Sequence, residues 1–169
     1  VTTGQYNTLI GGLAGDAQTT ADHNVALGVS ALTTNTKANK NIAIGSNTLS
    51  TFNVTSDTDT YNTAVGYGAG ATVTTGVSNT LIGGLAGDAI TTGSNNVALG
   101  RSALTANTTA SDNTAVGMAS LAANTTGANN TAVGRDALTL NTTGTQNVAL
   151  GSISLDANTT GSENTAVGY

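Results

Sequence analysis

The chain contains no cysteine, no proline and no tryptophan, and only four tyrosines and one phenylalanine. Without cysteine there is no disulfide framework, no thiolate metal site and no thiol nucleophile. The absence of proline removes the one residue that cannot donate to a strand ladder. With so few aromatics, any core must be filled by small aliphatic side chains. Charge is equally scarce: 8% of residues are charged, against about 25% in an ordinary globular protein. The only cations are Lys37, Lys40, Arg101 and Arg135, too few to neutralise a run of phosphates, so nucleic acid is excluded as a partner. No apolar run approaches the roughly 18 residues of a membrane helix, so this segment inserts in no membrane, and no export signal is recognisable. The formal net charge of −5 is spread thinly. A disordered low-complexity chain would carry proline or dense charge of one sign. Regularly spaced Val, Ile and Leu indicate an ordered chain instead.

What the sequence does have is a repeat. Asn7, Asn24, Asn41, Asn62, Asn79, Asn96, Asn113, Asn130, Asn147 and Asn164 follow one another at intervals of 17, except for the interval of 21 between Asn41 and Asn62. Counting each unit from its Asn, position five is always Gly, from Gly11 to Gly168. Position four is always Val, Ile or Leu, position two Thr, Val or Ile, and position three Ala except at Leu9 and Leu81. The consensus is N-T-A-V-G-x-x-A-L-x-x-N-T-T-G-x-x. A period of 17 is too short for a helix pair, which needs about 33 residues or more. The β-branched segments, punctuated by Gly, Asn and Thr-Thr-Gly, predict short strands joined by turns. Two strands are expected per unit, near positions one to four and eight to twelve.

Stacked unit on unit, this gives an all-β fold: a parallel β-solenoid of about ten 17-residue coils, roughly 48 Å long at the inter-strand spacing. It forms a single repeat domain, residues 1–169. Each position then becomes a column. The Asn column predicts a ladder of side-chain amide hydrogen bonds, and the Gly column a corner requiring positive φ or close backbone approach. The four extra residues of the third unit, within 52–61, are expected to bulge out as a loop that leaves the stack in register. A second-order repeat, "NTLIGGLAGDA" at 7–17 and again at 79–89, leads us to expect that the chain is a segment of a longer array.

Strand side chains alternate, so positions two and four share one face and positions one, three and five the other. Position four is always aliphatic, which predicts that pairs such as Val25 and Leu27, Ile42 and Ile44, and Val97 and Leu99 point into the coil. The Ala column, including Ala26, Ala98 and Ala115, is then expected on the outer face. A strand apolar on both faces must be covered on both, and a second copy of the chain is the expected partner.

"NNVALG" (95–100), "KNIAIG" (40–45) and "NTAVG" (113–117) resemble the head repeat of trimeric autotransporter adhesins, the YadA-like family; "NTAVGxxAL" strings are also similar to repeats of phage tail fibres and large surface proteins. The resemblance covers all ten units. It implies a left-handed β-roll assembled as a trimer, an extracellular place on a cell surface or virion fibre, and a structural, adhesive role with no catalysis. It also implies a host-surface or glycan receptor. The repeat here is longer than the family's, so the turns must differ. End-to-end association into a filament is a further expectation.

Residues with chemistry to offer are few. His23, the only histidine, lies beside Asp22 and near Asp16, and reads as a solvated turn residue rather than a catalytic base. "GGLAGDA" (11–17, 83–89) is similar to a Gly-rich calcium-binding nonapeptide, but Asp16 and Asp88 lie 72 residues apart, whereas such a site needs Asp in successive turns. No metal or other cofactor is expected. Paired threonines, such as Thr108-Thr109 and Thr125-Thr126, suggest ice binding as an alternative function, with glycan binding a second; adjacent threonines point to opposite sides, and hydroxyls bonded to turn backbone are the plainer account. Asn107, Asn124, Asn141 and Asn158 head Asn-Thr-Thr sequons that would line one glycan-bearing edge in a eukaryotic secretory setting and mean little in a bacterial or phage one. Tyr6, Tyr61, Tyr67 and Tyr169 sit near turns. The insertion offers the one candidate exposed binding loop, with Phe52, Asp57, Asp59 and Tyr61.

Overall fold

The structure is a computed structural model and describes all residues, Val1–Tyr169. It has no helix and twelve short strands: β1 (Thr8–Ile10), β2 (Val25–Leu27), β3 (Ala38–Asn39), β4 (Ile42–Ile44), β5 (Thr58–Asp59), β6 (Thr63–Val65), β7 (Thr80–Ile82), β8 (Val97–Leu99), β9 (Thr114–Val116), β10 (Thr131–Val133), β11 (Val148–Leu150) and β12 (Thr165–Val167). Ten of them form one parallel sheet in the order β1-β2-β4-β6-β7-β8-β9-β10-β11-β12. Equivalent residues pair in every step, for example Ala98 with Ala115 and Ala115 with Ala132. The parallel β-solenoid with a 17-residue coil is therefore as the repeat predicts. Register survives the insertion: Ile42 pairs with Thr63 across 21 residues, just as Val25 pairs with Ile42 across 17.

Each coil holds one strand of the main sheet, not two. Positions eight to twelve, expected as a strand, are successive turns. Left-handed residues at positions seven and nine, such as Ser102 (φ 58°) and Leu104 (φ 54°), interrupt extended backbone there. Those turns close on themselves through Ala103 N–H to Gly100 O and Asn107 N–H to Leu104 O, while Leu104 N–H still donates to Ser120 O in the next coil. A third left-handed residue precedes each Asn, as at Asp112 (φ 60°). For non-glycine residues this conformation costs about 1–2 kcal/mol each. The bonds between coils hold the residues there against that cost.

Two columns behave as the sequence predicts. The backbone N–H of each Asn donates to Oδ1 of the Asn one coil earlier, at 2.9–3.1 Å, without a break from Asn7 to Asn164. In eight of the ten coils, all but those of Asn41 and Asn164, the side-chain amide also crosses the corner: Asn113 Nδ2 donates to Gly127 O at 2.9 Å. At position five, Gly45 has φ 126°, and a Cβ there would stand 2.6 Å from Gly66 O, so both expected causes act on the same residue.

The strand faces are the reverse of the expectation. Ala26, Ala98 and Ala115 are fully buried. Leu27, Leu99 and Leu150 are 41%, 44% and 47% exposed. Positions two and four thus face outward and position three inward. The reason is volume. The coil is so flattened that Leu from the opposing turn, such as Leu104 or Leu121, already fills the interior, leaving room for only a methyl group from the strand. Asn at position one shares the Ala face, and its bonds across the corner commit that face to the inside.

A second interior column was not anticipated. Position twelve carries Gln18, Asn35, Phe52, Val73, Ile90, Asn107, Asn124, Asn141 and Asn158, buried from Gln18 through Asn141 and half-buried at Asn158. Asn124 Nδ2 donates to Asn107 Oδ1 and to Gly127 O, and Asn141 repeats the pattern on Asn124 and Gly144. The sequon asparagines therefore form an internal ladder, not the glycan-bearing edge the sequence suggested, because each amide is already spent on backbone and neighbour.

Candidate functional surface

No cavity or cleft opens in the solenoid, and no three His, Asp, Glu or Cys side chains gather where they could hold a metal. The surface itself is what remains, and it has three distinct parts.

The first is the outer face of the ten-stranded sheet. Position four presents an unbroken aliphatic column, half-buried at its Val residues other than Val167 and at Ile44 and Ile82 and exposed at the rest, beside a position-two column of Thr, Val and Ile. Its edges are the residue before each Asn and the residue after each Gly. The sequence named these aliphatic residues but placed them inside, so the most apolar surface of the molecule was missed.

The second is the insertion, and it is not a free binding loop. Phe52, expected on it, is fully buried at position twelve and packs in the core; an aromatic ring gains most by closing the gap between Asn35 and Val73 in that column. Asp57, Asp59 and Tyr61 are exposed as expected. They are tied to the preceding coils. Thr20 Oγ1 donates to Asp57, and Lys37 Nζ to Thr55 O at 3.3 Å. Lys40 Nζ lies 2.6 Å from Asp59 Oδ2, Tyr61 OH donates to the same oxygen at 3.1 Å, and the ammonium lies 5.3 Å from the centre of the Tyr61 ring. The hydrogen bond to Asp59 raises the Lys40 pKa above its ordinary value, with Tyr61 adding to it, and the same bond lowers that of Asp59. β3 and β5 pair beside this cluster, Asn39 with Asp59, so the insertion is a strap fastened across its neighbours.

The third is the corner column that precedes each Asn. Tyr6 and His23 stack there, ring centroids 4.8 Å apart and 15° from parallel, followed by Lys40 and Tyr61. Asp22 accepts from the Gln5 N–H at 2.6 Å and makes no contact with His23 that would orient a base. Asp16 and Asp88 stand apart, and Asp88 accepts from Thr105 Oγ1 at 2.6 Å.

Of the paired threonines, the first of each pair except Thr159 is consumed as turn chemistry predicts: Thr91 Oγ1 donates to Thr108 O, and Thr125 Oγ1 to Thr142 O, both at 3.0 Å. The second, as at Thr109, Thr126 and Thr143, forms an exposed column. No family model, curated protein or solved structure matches the chain.

Proposed function

We propose that this solenoid is a structural segment of an adhesive fibre or adhesin head, which supplies length and a repetitive surface rather than chemistry, at a cell surface or on a virion fibre. One observation carries the reading. The outer face of the ten-stranded sheet carries a half-buried to exposed aliphatic column beside a column of Thr, Val and Ile, with the same residue types at every level, a surface that gains from being covered and offers the same contacts along its whole length. Further copies of the chain are the partner that matches such periodicity, and three copies around an axis parallel to the stack is the assembly implied by the adhesin resemblance. Receptor contacts, to a host surface or glycan, would then fall to the turns and the strap.

Light scattering tests this reading. The expected mass is that of three chains, and Leu99→Asp, which places a charge on the outer sheet face, is expected to reduce it to one. A wild-type chain that is monomeric at high concentration overturns the proposal. The exposed threonine column favours a second reading, an ice-binding solenoid. Thermal hysteresis with a monomeric protein would select it. The consumed hydroxyls of the adjacent column leave only single threonines per coil for that role.

A further inference from the structure

The outer sheet face carries more information than its apolarity. Of the four cations, Lys40 pairs with Asp59 and Arg135 with its neighbour Asp136. Arg101 has no carboxylate; its guanidinium reaches only Met118 Sδ, at 3.4 Å. Asp112 has no cation; it accepts from Asn95 Nδ2 at 3.1 Å. Both Arg101 and Asp112 are exposed. They lie on opposite long edges of the same face. Arg101 and Arg135 follow the Gly just after β8 and β10, and Asp112 precedes the Asn just before β9.

We propose that copies of this chain associate through the outer sheet face with their stacks parallel and in register, and that Asp112 of one copy fixes that register by seating between Arg101 and Arg135 of the next. This rests on the reading that a second copy covers the face. Rotation about an axis parallel to the stack brings the leading edge of one sheet to the trailing edge of its neighbour at the same level. Asp112 then stands level with Met118, with the two arginines one coil above and below, each offset by about 4.8 Å. Lys40 and Glu163 meet no like charge at their levels. The antiparallel arrangement instead sets leading edge on leading edge with levels inverted. Asp112 then faces Tyr61 and Arg101 faces Gly84, so neither unpaired charge gains a partner. The face is also large enough. From the residue before each Asn to the residue after each Gly, seven residues span about 20 Å, and ten levels about 48 Å, a face of roughly 1,000 Å² per copy, which is enough for a standard specific interface of about 800 Å² per partner.

Disulfide trapping tests the arrangement, and the cysteine-free chain makes it clean. Ser78→Cys with Gly84→Cys places thiols on opposite edges of β7. Five residues, Asn79 to Gly83, separate them by well over about 10 Å, beyond the roughly 7 Å Cα limit of a bond within one chain; a Cβ on Gly84 meets nothing within 4 Å. Parallel copies in register are expected to link covalently under mild oxidation. His23→Cys with Gln146→Cys reports the antiparallel arrangement, and is expected to stay unlinked. Separately, Asp112→Lys is expected to raise the dissociation constant at least tenfold at low salt, and adding Arg101→Glu and Arg135→Glu to it to recover most of the loss. Linking of the His23/Gln146 pair, or oligomers indifferent to Asp112→Lys, overturns the register while leaving the covered face intact. A wild-type chain that remains monomeric overturns both.

Discussion

Leu81 occupies the space that a side chain on Gly87 would need: its Cδ2 lies 2.8 Å from where a Gly87 Cβ would stand, and its Cδ1 2.7 Å from the corresponding point on Gly70 in the preceding coil. Most coils place Ala on the strand and Leu in the opposing turn, as with Ala98 and Leu104. This coil exchanges them, large on the strand and none in the turn, and the interior stays filled. The first coil makes the same exchange with Leu9 and Gly15, whose Cβ would meet Leu9 Cδ2 at 2.7 Å.

The exchange predicts a non-additive pair. Leu81→Ala is expected to cost about 2–5 kcal/mol through the cavity it leaves, and Gly87→Ala about 1–3 kcal/mol through overpacking against Leu81 and Ile90. The double substitution should cost clearly less than the sum, because the lost leucine vacates the space that the new methyl fills. Denaturant unfolding of the three variants measures this, and simple additivity would contradict the packing described.

Face polarity predicts opposite outcomes for neighbours on one strand. Ala115→Arg places a charge in an interior with no room or partner, and is expected to unfold its coils or cost several kcal/mol. Leu99→Asp, on the outer face, is expected to leave the β signature of an isolated coil stack nearly unchanged. Circular dichroism melts of the two variants at matched low concentration decide the point; equal loss would mean the faces are misassigned.

Asn113→Ala removes the acceptor of the Asn130 N–H and the donor to Gly127 O. Both are buried, and a buried group left unpaired costs about 1–3 kcal/mol. A loss of about 2–5 kcal/mol is expected, with amide exchange accelerating most at Asn130 and its neighbours. Asn113→Asp should be no better, since it keeps the acceptor but buries a charge.

The strap should open at both extremes of pH. Asp59 has its pKa lowered from 3.8, chiefly by the Lys40 hydrogen bond; its contribution is complete above that ordinary value and is lost as pH falls through the depressed one. Lys40 has its pKa raised from 10.5 by the same contact; its contribution is complete below 10.5 and is lost as pH rises through the raised value. The tether is therefore expected intact between those limits. NMR shifts of the Lys40 ε-methylene and the Tyr61 ring should follow it, and Asp59→Asn should abolish the acid transition. Because the pair is exposed, the melting temperature of the whole solenoid is expected to change little.

The repeat by itself determined the period, the parallel stack, the Asn and Gly columns and the harmlessness of the insertion. Each follows from local rules that act identically in every coil: Gly where a Cβ has no room, Asn where a corner needs an amide, no proline where every strand must donate. The alternation of side chains along the strand was equally legible. Which face turns inward was not, because both are apolar and hydrophobicity does not rank Ala against Val when each can be buried. That choice belongs to the closed coil. Only when the turn brings Leu104 across from Ala98 does the interior become too narrow for Leu99, and only then do Asn107 and Asn124 meet as a ladder instead of standing on an edge. The Leu81–Gly87 exchange was written in the sequence too, but its two halves gain meaning only once the fold places them in contact.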